Sequence, residues 1–150
     1  MYELERPETC SIGRAMEILG ERWTFLILRE AFYGVRRFSD MQRNLGIARN
    51  ILSARLQTLV RAGILERRRY QEEPERFEYR LTAAGRDLYP AIITIMRWGD
   101  EHLLGGDKPV GLVHSCGHEA DPVVVCSHCN EPLHPHDVTP VARDEPAAAA

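Results

Sequence analysis

At 150 residues, 44% of them apolar and with a formal charge of -3, the chain is long enough for one compact domain and a short appendage but not for two full domains. No stretch reaches the roughly 18 uninterrupted apolar residues of a membrane span, and the acidic N-terminus lacks the basic-then-apolar order of a signal peptide, so a cytoplasmic protein without a membrane partner is expected. In that compartment four cysteines, Cys10 and three within 116–129, read as thiols or metal ligands rather than as a disulfide framework.

The charge is unevenly spread. Residues 36–80 hold eleven arginines against six acids, a local balance of +5, which leaves -8 for the rest of the chain. Screening makes the local balance the relevant one for a docking polyanion, and the arginine fork suits phosphate or guanine. The plain alternative is a solvated face.

Taken in chain order, Ile12, Ala15, Met16 and Leu19 recur at helical spacing after Ser11, a good cap, and predict a helix over about 11–19 closed by Gly20. Trp23, Leu26 and Ile27 predict a second through about Phe32, ended by Gly34. A short helix from Phe38 to Leu45, a break at Gly46 and a longer helix from about Ala48 to Ala62 follow the grammar of a helix-turn-helix. On that longer helix Ile51, Leu52, Leu56 and Leu59 fall along one side, and Arg49, Asn50, Ser53 and Gln57 along the other.

Leu65–Tyr70 and Phe77–Leu81 read as two strands of a hairpin whose polar, Pro-containing link is too long for a two-residue turn; they form the wing. Thr82 caps a predicted long helix over 83–103, kinked at Pro90, with an apolar stripe of Leu88, Ile92, Ile95 and Met96. Beyond Gly105 the periodicity stops. The expected organisation is a mainly α winged helix-turn-helix with a two-stranded β wing over 1–104, a Cys/His-rich appendage over 105–140, and a disordered, low-complexity tail over 141–150.

Cys10-Ser-Ile-Gly-Arg-Ala-Met-Glu-Ile-Leu-Gly-Glu-Arg-Trp23-Thr-Phe-Leu-Ile-Leu-Arg29, with Phe38-Ser39-Asp40, Leu52-Ser53-Ala54-Arg55-Leu56, Ala62-Gly63-Ile64-Leu65 and Leu81-Thr82-Ala83-Ala84-Gly85, resembles the HxlR-type regulators of the MarR-like group over about residues 8–103. The resemblance implies a sequence-specific DNA-binding transcriptional regulator, by default a repressor, acting as a homodimer on double-stranded DNA. It places the first helix and the helix over 83–103 at the dimer seam, and a two-fold dimer implies an inverted-repeat operator. Packing of the Ile92–Trp98 region within one monomer is the competing reading. The resemblance also implies oxidant sensing at Cys10, beside the first helix amides, against simple packing of that thiol; the effector is not legible.

In such a fold Arg49, Asn50, Ser53 and Gln57 are the base-reading candidates in the major groove, Arg49 foremost. Ser39, Arg43, Arg67, Arg68, Arg69 and Arg76 are better placed for phosphates, unless wing arginines pair with Glu72, Glu73 or Glu75. Arg55 falls among the apolar positions and reads as a buried structural ion pair rather than a DNA contact. No nucleophile with its base, catalytic carboxylate pair or Gly-rich phosphate loop occurs at a recognisable spacing, so catalysis is not expected. A winged helix used only for protein contacts is the other alternative.

The appendage carries His114-Ser-Cys116-Gly117-His118 and Cys126-Ser-His-Cys129. Three thiolates and an imidazole would close a structural Cys₃His zinc site resembling a compact zinc ribbon: His114, Cys116, Cys126 and Cys129, with His118 as alternative fourth ligand. The opposing reading is a Cys-x-x-Cys pair that cycles to a disulfide, or inert thiols.

Overall fold

The computed structural model describes residues 10–140; the tail expected over 141–150 lies outside them. Four helices come first: α1 (Ser11–Leu19), α2 (Arg22–Phe32), α3 (Phe38–Leu45) and α4 (Arg49–Arg61). An antiparallel hairpin of β1 (Leu65–Gln71) and β2 (Arg76–Leu81) is followed by α5 (Ala83–Arg86) and α6 (Tyr89–His102). The protein is thus mostly helical with one two-stranded sheet, the order of a winged helix-turn-helix. The chain divides into two compact units, one ending at Met96 and the other beginning at Arg97.

One apolar cluster organises the first unit. Leu19 of α1, Ile27 and Leu28 of α2, Met41 of α3, Ile47 of the turn, Leu52, Leu56 and Leu59 of α4, and Ile64 and Leu65 at the start of the wing are all buried. The same leucines that the helical period assigns to one side of α4 are those with no exposed surface. Ile51, read as part of that side, instead stands 39% exposed. It sits at the border of the leucine stripe, where a 100° step per residue carries a side chain off the packed face.

The turn between α3 and α4 is three residues long. Gly46 adopts φ 61°, a left-handed conformation that closes α3 with its amide on the Gln42 carbonyl, and glycine takes that conformation without Cβ strain. Ile47 then drops into the core, and α4 begins after Ala48.

Two further expectations are corrected. α1 is capped by Cys10, whose Sγ accepts the Gly13 amide at 3.3 Å; Ser11 is already the first helical residue. The single helix expected over 83–103 is two, because Pro90 is found in the first turn of α6 rather than at an internal kink. Proline lacks the N–H an internal helical position must donate and is tolerated in the first turn, where that donor has no partner anyway.

In the wing, Leu65 pairs with Leu81 and Arg69 with Phe77, with an irregularity between Arg69 and Gln71 before the turn over 72–75. Arg37 makes an isolated bridge to Glu78, extending the sheet edge towards α3. Thr82 ties the wing to the body: its amide and hydroxyl donate to the Ile64 carbonyl, and its hydroxyl accepts from the Gly85 amide.

Beyond α6, Gly105 and Gly106 both have positive φ. Two small loops follow, closed by the bridges Val113–Glu119 and Val125–Pro132, then a 3-10 turn at Pro135–Asp137.

Gly85 is buried, and a Cβ there would collide with the Ile64 carbonyl oxygen. Gly85→Ala is therefore expected to destabilise the first unit by about 1–3 kcal/mol through backbone displacement, read as a lower urea midpoint at unchanged m-value.

Candidate nucleic-acid interface

With Leu52, Leu56 and Leu59 locked into the core, the opposite side of α4 must face solvent. Arg49, Asn50 and Gln57 are exposed there and Ser53 is half-buried. The Arg49 guanidinium lies over the Phe38 ring, 5.1 Å from its centroid, a stacking contact that limits the rotamers of an otherwise mobile side chain. Arg55 is 27% exposed and faces Glu21, itself 60% exposed, at 3.8 Å; an ion pair is present, but at the surface and not buried as the spacing suggested.

α3 supplies Ser39, exposed, and Arg43, whose guanidinium donates to Asp40 at 2.7 Å. Around the wing, Arg68 pairs with Glu66 at 3.0 Å, and Arg69 faces both Glu72 at 3.7 Å and Glu75 at 3.4 Å. Arg67 stacks on Phe77, 3.4 Å from the ring centroid. Arg76 is exposed and has no ion-pair partner among the described residues. Exposed pairs of this kind contribute roughly 0–1 kcal/mol, so exchanging a carboxylate for a phosphate costs these arginines little.

Two basic residues escaped the sequence reading as site residues. Arg36 and Arg37 are exposed between α2 and α3, and with Arg43 and Asn44 they line a shallow recess of about 400 Å³. Arg37 also lies over the Tyr70 ring, 4.8 Å from its centroid. The clustering of arginine from residue 36 onward was the available signal, but the sequence reading draws its candidates only from the helix-turn-helix and the wing.

Beneath this surface lies a buried carboxylate. Glu30 of α2 accepts from Arg29 and from Asn44 of α3, both at 2.8 Å. It is therefore a strut between the helix that fills the core and the first helix of the helix-turn-helix.

The three cysteines of the appendage, like Cys10, are free thiols. The structure brings Cys126 and Cys129 together at one loop and places His114 and Cys116 on the other. Among the described residues no group of three or more His, Cys, Asp or Glu side chains is gathered to hold a metal ion. His134 and His136 stack on each other, centroids 5.5 Å apart. No helix among the described residues is long and apolar enough to cross a membrane.

Comparison with known proteins agrees with this geometry. A family model described as HxlR-like helix-turn-helix matches residues 18–106. An uncharacterised HTH-type transcriptional regulator of Mycobacterium tuberculosis is 54% identical over 137 residues, 90% of this chain and 87% of the relative. The crystal structure of PA1607, described as a candidate transcription factor, superposes with a TM-score of 0.80 at 36% identity, covering 91% of this chain and 96% of that one. The reduced form of HypR, described as a redox regulator, gives a TM-score of 0.58 at 26% identity over 65% of this chain and all of its own.

Removing the strut leaves the exposed Asn44 amide and the half-exposed Arg29 guanidinium without the buried carboxylate they donate to. Glu30→Ala is expected to cost about 1–3 kcal/mol, and Glu30→Gln less; thermal melting of the two variants side by side checks the order.

Proposed function

The chain belongs to the HxlR-like helix-turn-helix family, and from that membership we propose that it is a repressor that binds an inverted-repeat operator as a homodimer and is released by oxidation of Cys10. It is a transcriptional regulator with a helix-turn-helix DNA-binding domain. The observation that carries the finer reading is the polar side of α4, held outward by three fully buried leucines and flanked by arginine on α3 and the wing.

In this reading the N-terminal half of α4 enters the major groove. Arg49 takes a bidentate position on guanine, Asn50 and Gln57 reach adenine or a neighbouring edge, and Ser53 makes the shorter contact. Ser39, Arg43, Arg67, Arg68, Arg69 and Arg76 hold phosphates and fix the register without reading sequence. Arg36 and Arg37 add to that set.

Dimer formation is supported by apolar surface that the first unit leaves uncovered. Ile12 of α1 is 73% exposed and Ile95 of α6 53% exposed, with Met16 one turn from Ile12 also open. Two copies related by a two-fold axis would set their α4 helices about 34 Å apart, one turn of DNA.

Cys10 supports the redox reading. Its sulfur caps α1 through the Gly13 amide and is half-buried, and a relative of the same fold is described as a redox regulator. A peroxide would transfer one oxygen to the thiolate, giving a sulfenic acid and releasing water or alcohol. The added oxygen disturbs the cap at the start of the helix that bears Ile12 and Met16.

Arg49→Ala is expected to lower operator affinity roughly 5- to 150-fold, the equivalent of about 1–3 kcal/mol, and to relax preference at one base pair of each half-site. Arg76→Ala should weaken specific and random DNA alike and reduce the salt slope by about one. Footprinting and salt titration separate the two; an unchanged operator affinity for Arg49→Ala sinks the assignment of α4.

Peroxide should dissociate the wild-type complex and a thiol reductant restore it, with Cys10→Ser unaffected. Equal responses of the two proteins would remove Cys10 from the mechanism while leaving the DNA-binding assignment intact.

A further inference from the structure

The segment from Leu103 to Pro140 contains no buried residue, yet it forms two well-defined closed loops. Its valines at 113, 123, 124 and 125 are all exposed, and its ion pair Lys108–Glu119, 3.0 Å long, lies on the surface. The Lys108 ammonium is held above its ordinary pKa by its hydrogen bond to Glu119, but exposed pairs of this kind do not order a chain. Segments of fewer than about 40 residues that lack a core usually need a disulfide, a metal or another chain to fold. The three cysteines here are free.

The two loops are built alike. In the second, the Cys126 amide donates to the Glu131 carbonyl and the Asn130 amide to the Cys126 carbonyl; in the first, the His114 amide donates to the His118 carbonyl and the Gly117 amide to the His114 carbonyl. His114 thus stands where Cys126 stands, Gly117 matches Asn130, and Cys116 matches Cys129, each immediately before its left-handed residue. Gly117 has φ 87° and Asn130 φ 61°, and Asn130 is the one non-glycine residue with positive φ among the described residues. His118 matches Glu131, each accepting the amide that closes its loop.

The donor atoms correspond as well. Cys126 Sγ lies within reach of the backbone amides of His128 and Cys129 and of the Cys129 thiol. His114 Nδ1 faces the Cys116 amide at 3.4 Å. The amide two residues on therefore points at the donor atom in both loops. Imidazole is longer than a thiol side chain, which suits a loop one residue shorter.

We propose that these two loops bind one structural zinc ion, through His114 Nδ1 and Cys116 of the first and Cys126 and Cys129 of the second. Cys126 and Cys129 already form one half of the set, and the metal recruits the other half, so order in this segment is coupled to metal binding. The single lone pair of His114 Nδ1 exchanges its long amide contact for the metal, whereas Cys126 Sγ keeps its amide donors as a thiolate ligand. The paired construction favours this over a redox dithiol, because a Cys126–Cys129 disulfide gives no role to a matching His114 and Cys116. Three thiolates and one nitrogen form a closed tetrahedral set selective for zinc, with no position left for catalysis.

The test is metal analysis of the reduced full-length protein, with cobalt(II) substitution as a second reading. Expected are one zinc per chain, tetrahedral cobalt bands with thiolate charge transfer, and loss of both in His114→Ala, Cys116→Ser, Cys126→Ser and Cys129→Ser. His118→Ala should keep both. Reduced wild-type protein that takes up no zinc, or that carries a Cys126–Cys129 disulfide in place of metal, overturns the proposal. So does zinc retained by His114→Ala but lost from His118→Ala, or retained by both first-loop variants. Folding failure of a variant is recognised by loss of the wild-type circular dichroism and cooperative melt, which the cobalt spectrum does not depend on.

Discussion

Everything the first unit presents to DNA depends on the burial of Leu52, Leu56 and Leu59. A helix has one rotational degree of freedom about its axis, and three leucines seated in a common core remove it. Full burial of each is worth about 1.5–3 kcal/mol, so rotating α4 to hide its polar side would cost more than any single base contact returns. The orientation of Arg49, Asn50, Ser53 and Gln57 is in that sense a property of the core. Glu30 carries the same constraint backward: by accepting from Asn44 it fixes α3, and hence the three-residue turn, to the helix that supplies Ile27 and Leu28.

Electrostatics bears on which face could dock a polyanion. The chain as a whole is acidic, so a polyanion is repelled except where arginine prevails. Within that region much of the basic charge is already engaged, Arg43 with Asp40, Arg68 with Glu66, and Arg69 with Glu72 and Glu75. These pairs pre-orient long side chains and hold down promiscuous attraction, yet their small net worth in water lets a phosphate displace the carboxylate. Arg76, outside any such pair among the described residues, and Arg67, stacked on Phe77, would need no exchange to meet a phosphate.

The helix-turn-helix was legible because its punctuation is local. Gly46 and Gly63 occupy left-handed positions, and the leucine period of α4 matches its burial almost residue for residue. Where local signals competed, the reading slipped. Ser11 outranks cysteine as a cap by frequency, but the chain enters the helix at Cys10 and the thiol takes the amide. An apolar stripe running through Pro90 suggested one kinked helix, because periodicity reports which residues share a face and not where hydrogen bonding is interrupted. Ile51 and the pair Arg36 and Arg37 depend on how neighbouring elements pack, which spacing alone does not encode. The equivalence of the two appendage loops lies in backbone hydrogen bonds, and with unequal spacings of one and two residues between donors the sequence could only suggest it.

The four cysteines divide between two kinds of order. The family match spans residues 18–106, so Cys10 and the three appendage thiols lie on either side of it. Cys10 caps a helix whose inner side, through Leu19, belongs to an apolar core and whose outer side carries Ile12 and Met16. Under the proposed redox reading, a change at its sulfur would be transmitted because a packed core shifts as a unit. The appendage has no such core, so chemistry at Cys126 or Cys129 is confined to the loops that the thiols themselves close. In the proposed reading, oxidation at Cys10 would act within a packed unit, whereas ligation at Cys126 and Cys129 would act within loops that bury no residue.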